Sequence, residues 1–148
     1  MNLHPAAVHF PIALLLVSVA LTLLYLRRGG TPASLETTAY HCLVIGWLGA
    51  VLAVLTGSID AWRQVYGADL PRDAGLLNRL NLHAILGLAV VAVYGTALLR
   101  RRRNPHLLAD PQQRRGYVRL LLIGAVLLVV GSWLGGQLVY RFGLGVYP

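Results

Sequence analysis

"AAVHFPIALLLVSVALTLLYLRR", residues 6–28, runs through twenty-one uncharged residues and stops on two arginines. A helix rises about 1.5 Å per residue, so a stretch of this length crosses a hydrocarbon core of about 30 Å. Ala6–Leu26 is therefore predicted to be a membrane span. Thr38–Ile59, Asn81–Leu99 and Tyr117–Tyr140 have the same character. Together the four occupy most of the 148 residues, which predicts an all-α, four-transmembrane-helix bundle in a single domain over residues 1–148.

Composition agrees with that reading. The chain is 57% hydrophobic and only 12% charged, a balance that suits the bilayer better than water. No basic residue precedes the first span, and no small-residue cleavage motif closes it before Arg27 and Arg28, so the span is expected to be retained. The net charge of +8 comes from arginine alone, since lysine is absent. Arg27 and Arg28 follow the first span. Arg100, Arg101, Arg102, Arg103, Arg114, Arg115 and Arg119 surround the loop after the third. The middle loop instead offsets Arg63, Arg72 and Arg79 with Asp69 and Asp73. The positive-inside rule then predicts cytoplasmic first and third loops, with both termini outside, in a bacterial inner membrane. "RRRRNP" is read as a topology anchor, and no nucleic-acid partner is expected. Cys42 is the sole cysteine, which excludes a disulfide framework, a thiolate metal cluster and a CxxCH haem attachment.

The two halves rhyme. The first span opens with His9 and closes on arginines, as the third does with His83. Ile45-Gly46 and Gly57-Ser58 in the second match Ile123-Gly124 and Gly131-Ser132 in the fourth. Gln64-Val65-Tyr66-Gly67 also matches the end of the chain at Gln137-Leu138-Val139-Tyr140. This order predicts two helical hairpins related by a pseudo-twofold axis along the membrane normal. Such an axis is expected to set His9 and His83 at equal depth on opposite sides.

Histidine at membrane depth points to function by default. His4 and His9 project about 140° apart on a regular helix. His9 is taken as the inward residue and His4 as an interfacial one, beside Pro5 in the first helical turn. Pro11 is expected to kink the first helix by freeing the carbonyl of Ala7. Gly87 is expected to clear space a turn below His83. Asp60 is a candidate to orient a histidine, and Arg79 a candidate to meet an anionic group such as a haem propionate. His41 and Cys42 are too few for structural zinc, and His41 is expected at the opposite end of the bundle.

"HPAAVHFPIALL", "GSIDAW", "NLHAILG" and "GGQLVYRFGLGV" resemble the bacterial membrane-protein family called domain of unknown function 2231 along essentially the whole chain. The resemblance marks His4, Pro5, His9, Phe10, Pro11, Gly57, Asp60, His83, Gly135, Gly136, Tyr140 and Gly143. It implies a four-helix inner-membrane protein and carries no assigned activity. Some relatives are similar to proteins with cytochrome-like domains, which inclines the expectation toward redox.

The leading expectation is a b-type haem held by His9 and His83 near the outer face, in an electron-transfer or binding subunit rather than a stand-alone enzyme. Bis-histidine ligation leaves iron no open position for substrate. Arg79, Gly87 and His4 complete that site. One alternative is a zinc, copper or iron ion on His9, His83 and Asp60. Another is a non-catalytic structural or assembly subunit. The bilayer is the expected surrounding, with a redox partner or a second copy of the chain as possible associates.

Overall fold

The computed structural model describes residues 4–67 and 74–144. Asp69, Arg72 and Asp73 of the charge-balanced loop lie outside them, as do the side chains of residues 64–67. Four helices follow in order: α1 His4–Arg27, α2 Ala33–Gly67, α3 Ala74–Arg103 and α4 Pro111–Phe142. Each is long and apolar enough to cross a membrane, and each contains one of the spans predicted from hydropathy. The helices outrun the spans. α2 has 35 residues, about 52 Å at 1.5 Å each, so it projects well beyond a hydrocarbon core of about 30 Å. Hydropathy ends where lipid ends, while the intrahelical hydrogen bonds continue into the interface.

Local chemistry sets the breaks. Gly29 and Gly30 take φ of 69° and 86°, left-handed values open to glycine, and the Gly30 amide donates back to the Tyr25 carbonyl at 3.0 Å. Asp110 caps α4 by accepting the Gln112 and Gln113 amides, with Pro111 in the first helical turn. Between α3 and α4, Leu107 and Leu108 fold back into the core beside Tyr117 and Leu121. An Arg101–Glu36 ion pair ties the end of α3 to the start of α2 at this same end.

Successive helices pack antiparallel. Pro11 and Leu15 meet Gly49 and Gly46 across α1–α2, Trp47 meets Gly95 across α2–α3, and Tyr94 meets Gly124 across α3–α4. The hairpins α1–α2 and α3–α4 are the intimate pairs, and of the neighbouring helices α1 and α4 touch least. The result is an up-down-up-down bundle whose diagonal helices make no close backbone approach among the described residues. Lipid tails are as apolar as leucine, so burying leucine against a helix contributes little of the hydrophobic driving force available in water. Close van der Waals fit at glycines and interhelical hydrogen bonds hold the bundle instead. The Ser18 hydroxyl donates to the Ala39 carbonyl at 2.8 Å, and the Trp47 indole donates to Val91 at 2.9 Å.

The repeat is present, with a register that corrects the sequence reading. Buried Pro11, Leu15, Ser18 and Val19 of α1 correspond, 79 residues on, to buried Val90, Tyr94, Ala97 and Leu98 of α3. Buried Ala39, Leu43, Gly46, Ala50, Ala53 and Asp60 of α2 correspond, 78 residues on, to Tyr117, Leu121, Gly124, Leu128, Gly131 and Leu138 of α4. The match of Gly46 with Gly124 stands. Gly57 pairs with Gly135, however, not with Gly131, and His83 pairs with His4, not with His9. Because equivalent helices run parallel, the operator is a rotation about an axis along the bundle.

Candidate functional site

The register brings one contact unit to the same end of both hairpins. His4 Nδ1 lies 2.8 Å from the Ala53 carbonyl oxygen, and its ring rests on Gly57, where an added Cβ would stand 2.8 Å from Nδ1. His83 Nδ1 lies 3.0 Å from the Gly131 carbonyl oxygen, and its ring rests on Gly135, where an added Cβ would stand 3.0 Å from Cε1. A carbonyl only accepts. Nδ1 therefore carries the proton in both rings, and a neutral imidazole keeps its lone pair on Nε2.

The two rings meet across the bundle, with centroids 5.9 Å apart and planes at 83°. The pair bridges the diagonal helices α1 and α3, which places it beside the pseudo-twofold axis. Metal-binding histidines are commonly oriented this way, with one ring nitrogen donating to a backbone carbonyl and the other left for the ligand.

His9 is not in this site. It is exposed on α1, and its Nδ1 sits 2.9 Å from the Pro5 carbonyl of its own helix. The cause is helical phase. Pro11, Leu15, Ser18, Val19 and Thr22, the buried residues of α1, all fall within about 60° of His4 on the helical wheel. His9 falls about 140° away from His4, with exposed Phe10, Ala13, Val17 and Ala20. The expectation of an inward His9 and an interfacial His4 is thus reversed.

Asp60 is buried at 5% exposure, and its Oδ2 accepts the backbone amide of His4 at 2.8 Å. It was expected to orient an imidazole; it instead satisfies the first amide of α1 at the positive end of that helix dipole. The equivalent position in the other hairpin is Leu138. No carboxylate is needed there, because α3 begins nine residues before His83 and the His83 amide is intrahelical. With Asp60 committed to the main chain, the set His9, His83 and Asp60 is not brought together. Among the described residues, no three His, Cys, Asp or Glu side chains form a group able to hold an ion.

Arg79 lies over the Phe142 ring at 5.3 Å, a cation–π contact joining α3 and α4 at the histidine end of the bundle. A Cβ at Gly87 would meet Val54 at an ordinary 3.6 Å, so Gly87 belongs to the α2–α3 contact; the glycines against the imidazoles are Gly57 and Gly135. His41 is exposed on the α2 segment nearer the arginine end, beside Tyr40. Tyr94 shares the α3 face of His83 and Val90. It is fully buried with an unpartnered hydroxyl, held against Gly124 at the position equivalent to Leu15.

No curated protein and no solved structure matches the chain. The motifs that carry the site (His4 in the opening, Gly57 and Asp60 at the end of α2, His83 in α3 and Gly135 in α4) lie within a match that runs the full length of the chain. The sequence profile of the family described as "Predicted membrane protein (DUF2231)" matches residues 1–148, and the chain belongs to that family.

Proposed function

We propose that this integral membrane protein is an electron-transfer subunit that offers His4 and His83 as the two axial ligands of a b-type haem. The observation that carries the reading is the matched pair of Nδ1–H···O=C bonds, which fixes both rings and leaves Nε2 of each as the only coordinating atom. The two rings stand 5.9 Å apart, centroid to centroid, in an edge-to-face contact, near enough to reach one shared group. Among the described residues two such donors converge, and a pair suits a group that brings its equatorial ligands with it. A bare zinc, copper or iron ion asks for more protein ligands than the described residues bring together.

A haem held by His4 and His83 would supply one-electron chemistry without a position for substrate. The chain's own contribution is orientation: Ala53 and Gly131 hold the Nδ1 protons, Gly57 and Gly135 let the rings approach α2 and α4, and Asp60 anchors the α1 backbone that carries His4. The arginine asymmetry supports a bacterial inner-membrane location with the histidine end and both termini outside. A redox partner or a second copy would then meet the outer end.

A reduced-minus-oxidised absorption spectrum of the purified protein tests this. The expected result is a low-spin b-type spectrum that His4→Ala and His83→Ala each abolish or convert, and that His9→Ala and His41→Ala leave intact. Loss of the spectrum in His9→Ala with retention in His4→Ala would overturn the assignment. Colourless protein with stoichiometric metal, lost on Asp60→Asn as fully as on His83→Ala, would establish the metal-ion alternative. Protein carrying neither group, and folding normally without His4 and His83, would leave a structural subunit.

A further inference from the structure

The arginine end carries a second feature, independent of the histidines. An open groove of ≈ 270 Å³ lies between the end of α3 and the start of α4, lined by Arg100, Arg103, Asn104, Leu107 and Gln113. Its rim is built rather than loose. Asn104 Nδ2 donates to Gln113 Oε1 at 2.8 Å, and Gln113 Nε2 donates to Asp110 Oδ2 at 2.8 Å. Leu107, 2% exposed, contributes an apolar wall.

Among the described residues the one ion pair is Arg101–Glu36, which leaves Arg100 and Arg103 with no carboxylate partner. The whole end holds nine arginines, Arg27, Arg28, Arg100–Arg103, Arg114, Arg115 and Arg119, against Glu36 and Asp110. Four residues before Arg103, on the same helical face, Leu99 is 55% exposed and faces the surround of the bundle. An exposed apolar side chain thus lies one helical turn from the cationic groove.

We propose that this groove is a specific site for one anionic phospholipid. Arg100 and Arg103 would take the phosphodiester, the guanidinium being suited to paired hydrogen bonds with phosphate oxygens. An acyl chain would then run along Leu99. A topology anchor needs only charge near the membrane surface; it needs neither the fixed amide rim nor the apolar wall. Basic pockets between helices at a membrane's anionic surface bind headgroups in this way.

The test is native mass spectrometry of the full chain in detergent, titrated with phosphatidylglycerol or phosphatidylcholine, with inorganic phosphate as a competitor. One phosphatidylglycerol should bind in preference to phosphatidylcholine. Arg100→Gln/Arg103→Gln should weaken it at least tenfold, and Gln113→Ala should weaken it as well. Arg27→Gln/Arg28→Gln removes the same charge from the same end outside the groove and should change it less than twofold. Equal losses in the two arginine pairs would reduce the effect to general electrostatics and overturn the site. So would no change in the Arg100/Arg103 pair, or displacement of the lipid by millimolar phosphate, which would make the ligand a free anion.

Discussion

Gly57→Ala is the sharpest probe of the contact unit around the histidines. A methyl group at this position stands 2.8 Å from His4 Nδ1 and 2.9 Å from Cε1, well inside van der Waals contact. The ring must retreat by about 0.6 Å or more to reach an ordinary separation, and the 2.8 Å bond to Ala53 cannot survive that movement at its present length. Overpacking of this kind costs about 1–3 kcal/mol. Losing the hydrogen bond costs about 0.5–1.5 kcal/mol more, and alanine returns about 1 kcal/mol over glycine within a helix. The net destabilisation is about 2 kcal/mol, with bounds near 0.5 and 3.5. Gly136→Ala is the natural control, because a Cβ there meets nothing within 4 Å. It should be neutral or stabilising by up to about 1 kcal/mol. Reversible unfolding in mixed detergent micelles measures both, and ¹⁵N chemical shifts of His4 report the Nδ1 bond directly. Equal stabilities for the two variants, with an unchanged His4 signal, would refute the argument that glycine is there to admit the imidazole.

Asp60→Ala should destabilise by about 1–3 kcal/mol, because the half-buried His4 amide loses its acceptor; faster amide exchange at His4 checks the cause. Asp110 lies outside the spans, and its carboxyl is held below the usual carboxylate range, first by the Gln112 amide and then by the side chain and amide of Gln113. A depressed folded-state value means the cap contributes fully above the unfolded-state pKa and is lost as pH falls through the folded one. Amide shifts of Gln112 and Gln113 should therefore titrate below the normal aspartate range, and Asp110→Asn should abolish that titration while keeping the cap. A reporter fused after Pro148 should be active only outside the cytoplasm.

The four helices were legible because continuous hydropathy is a one-dimensional signal that needs no knowledge of neighbours. Helical phase was not legible in the same way. In water the inner face of a helix is marked by apolar residues against polar ones, but in lipid both faces are apolar, so α1 offers no such contrast. The surviving mark is the placement of small and polar residues. Ser18 and Thr22 share the phase of Pro11 and Leu15, and extending that line toward the start of α1 reaches His4. Matching the halves by order and depth chose His9, one and a half turns too late. Gly57 and Gly135 sit in the quoted motifs, yet their meaning depends on which histidine rests on each, and that is a property of register between helices. Asp60 was conspicuous as an acid near a span end. Its contact with a main-chain amide depends on α1 beginning at His4 itself.

A two-helix hairpin carrying one histidine, one acceptor carbonyl and one glycine would pair with a copy of itself about the same axis, and such a homodimer is bound to treat its two imidazoles alike. Joining both copies in one chain removes that obligation. His4 sits at a helix start with a buried carboxylate on its own amide, whereas His83 sits two turns into a longer helix with Leu138 where that carboxylate would be. The hydrogen-bond geometry is kept equal on the two sides while the charge around it is not. Fusion thus gives each ligand position a mutational dial of its own, and the electrical character of one imidazole can drift without dragging the other along.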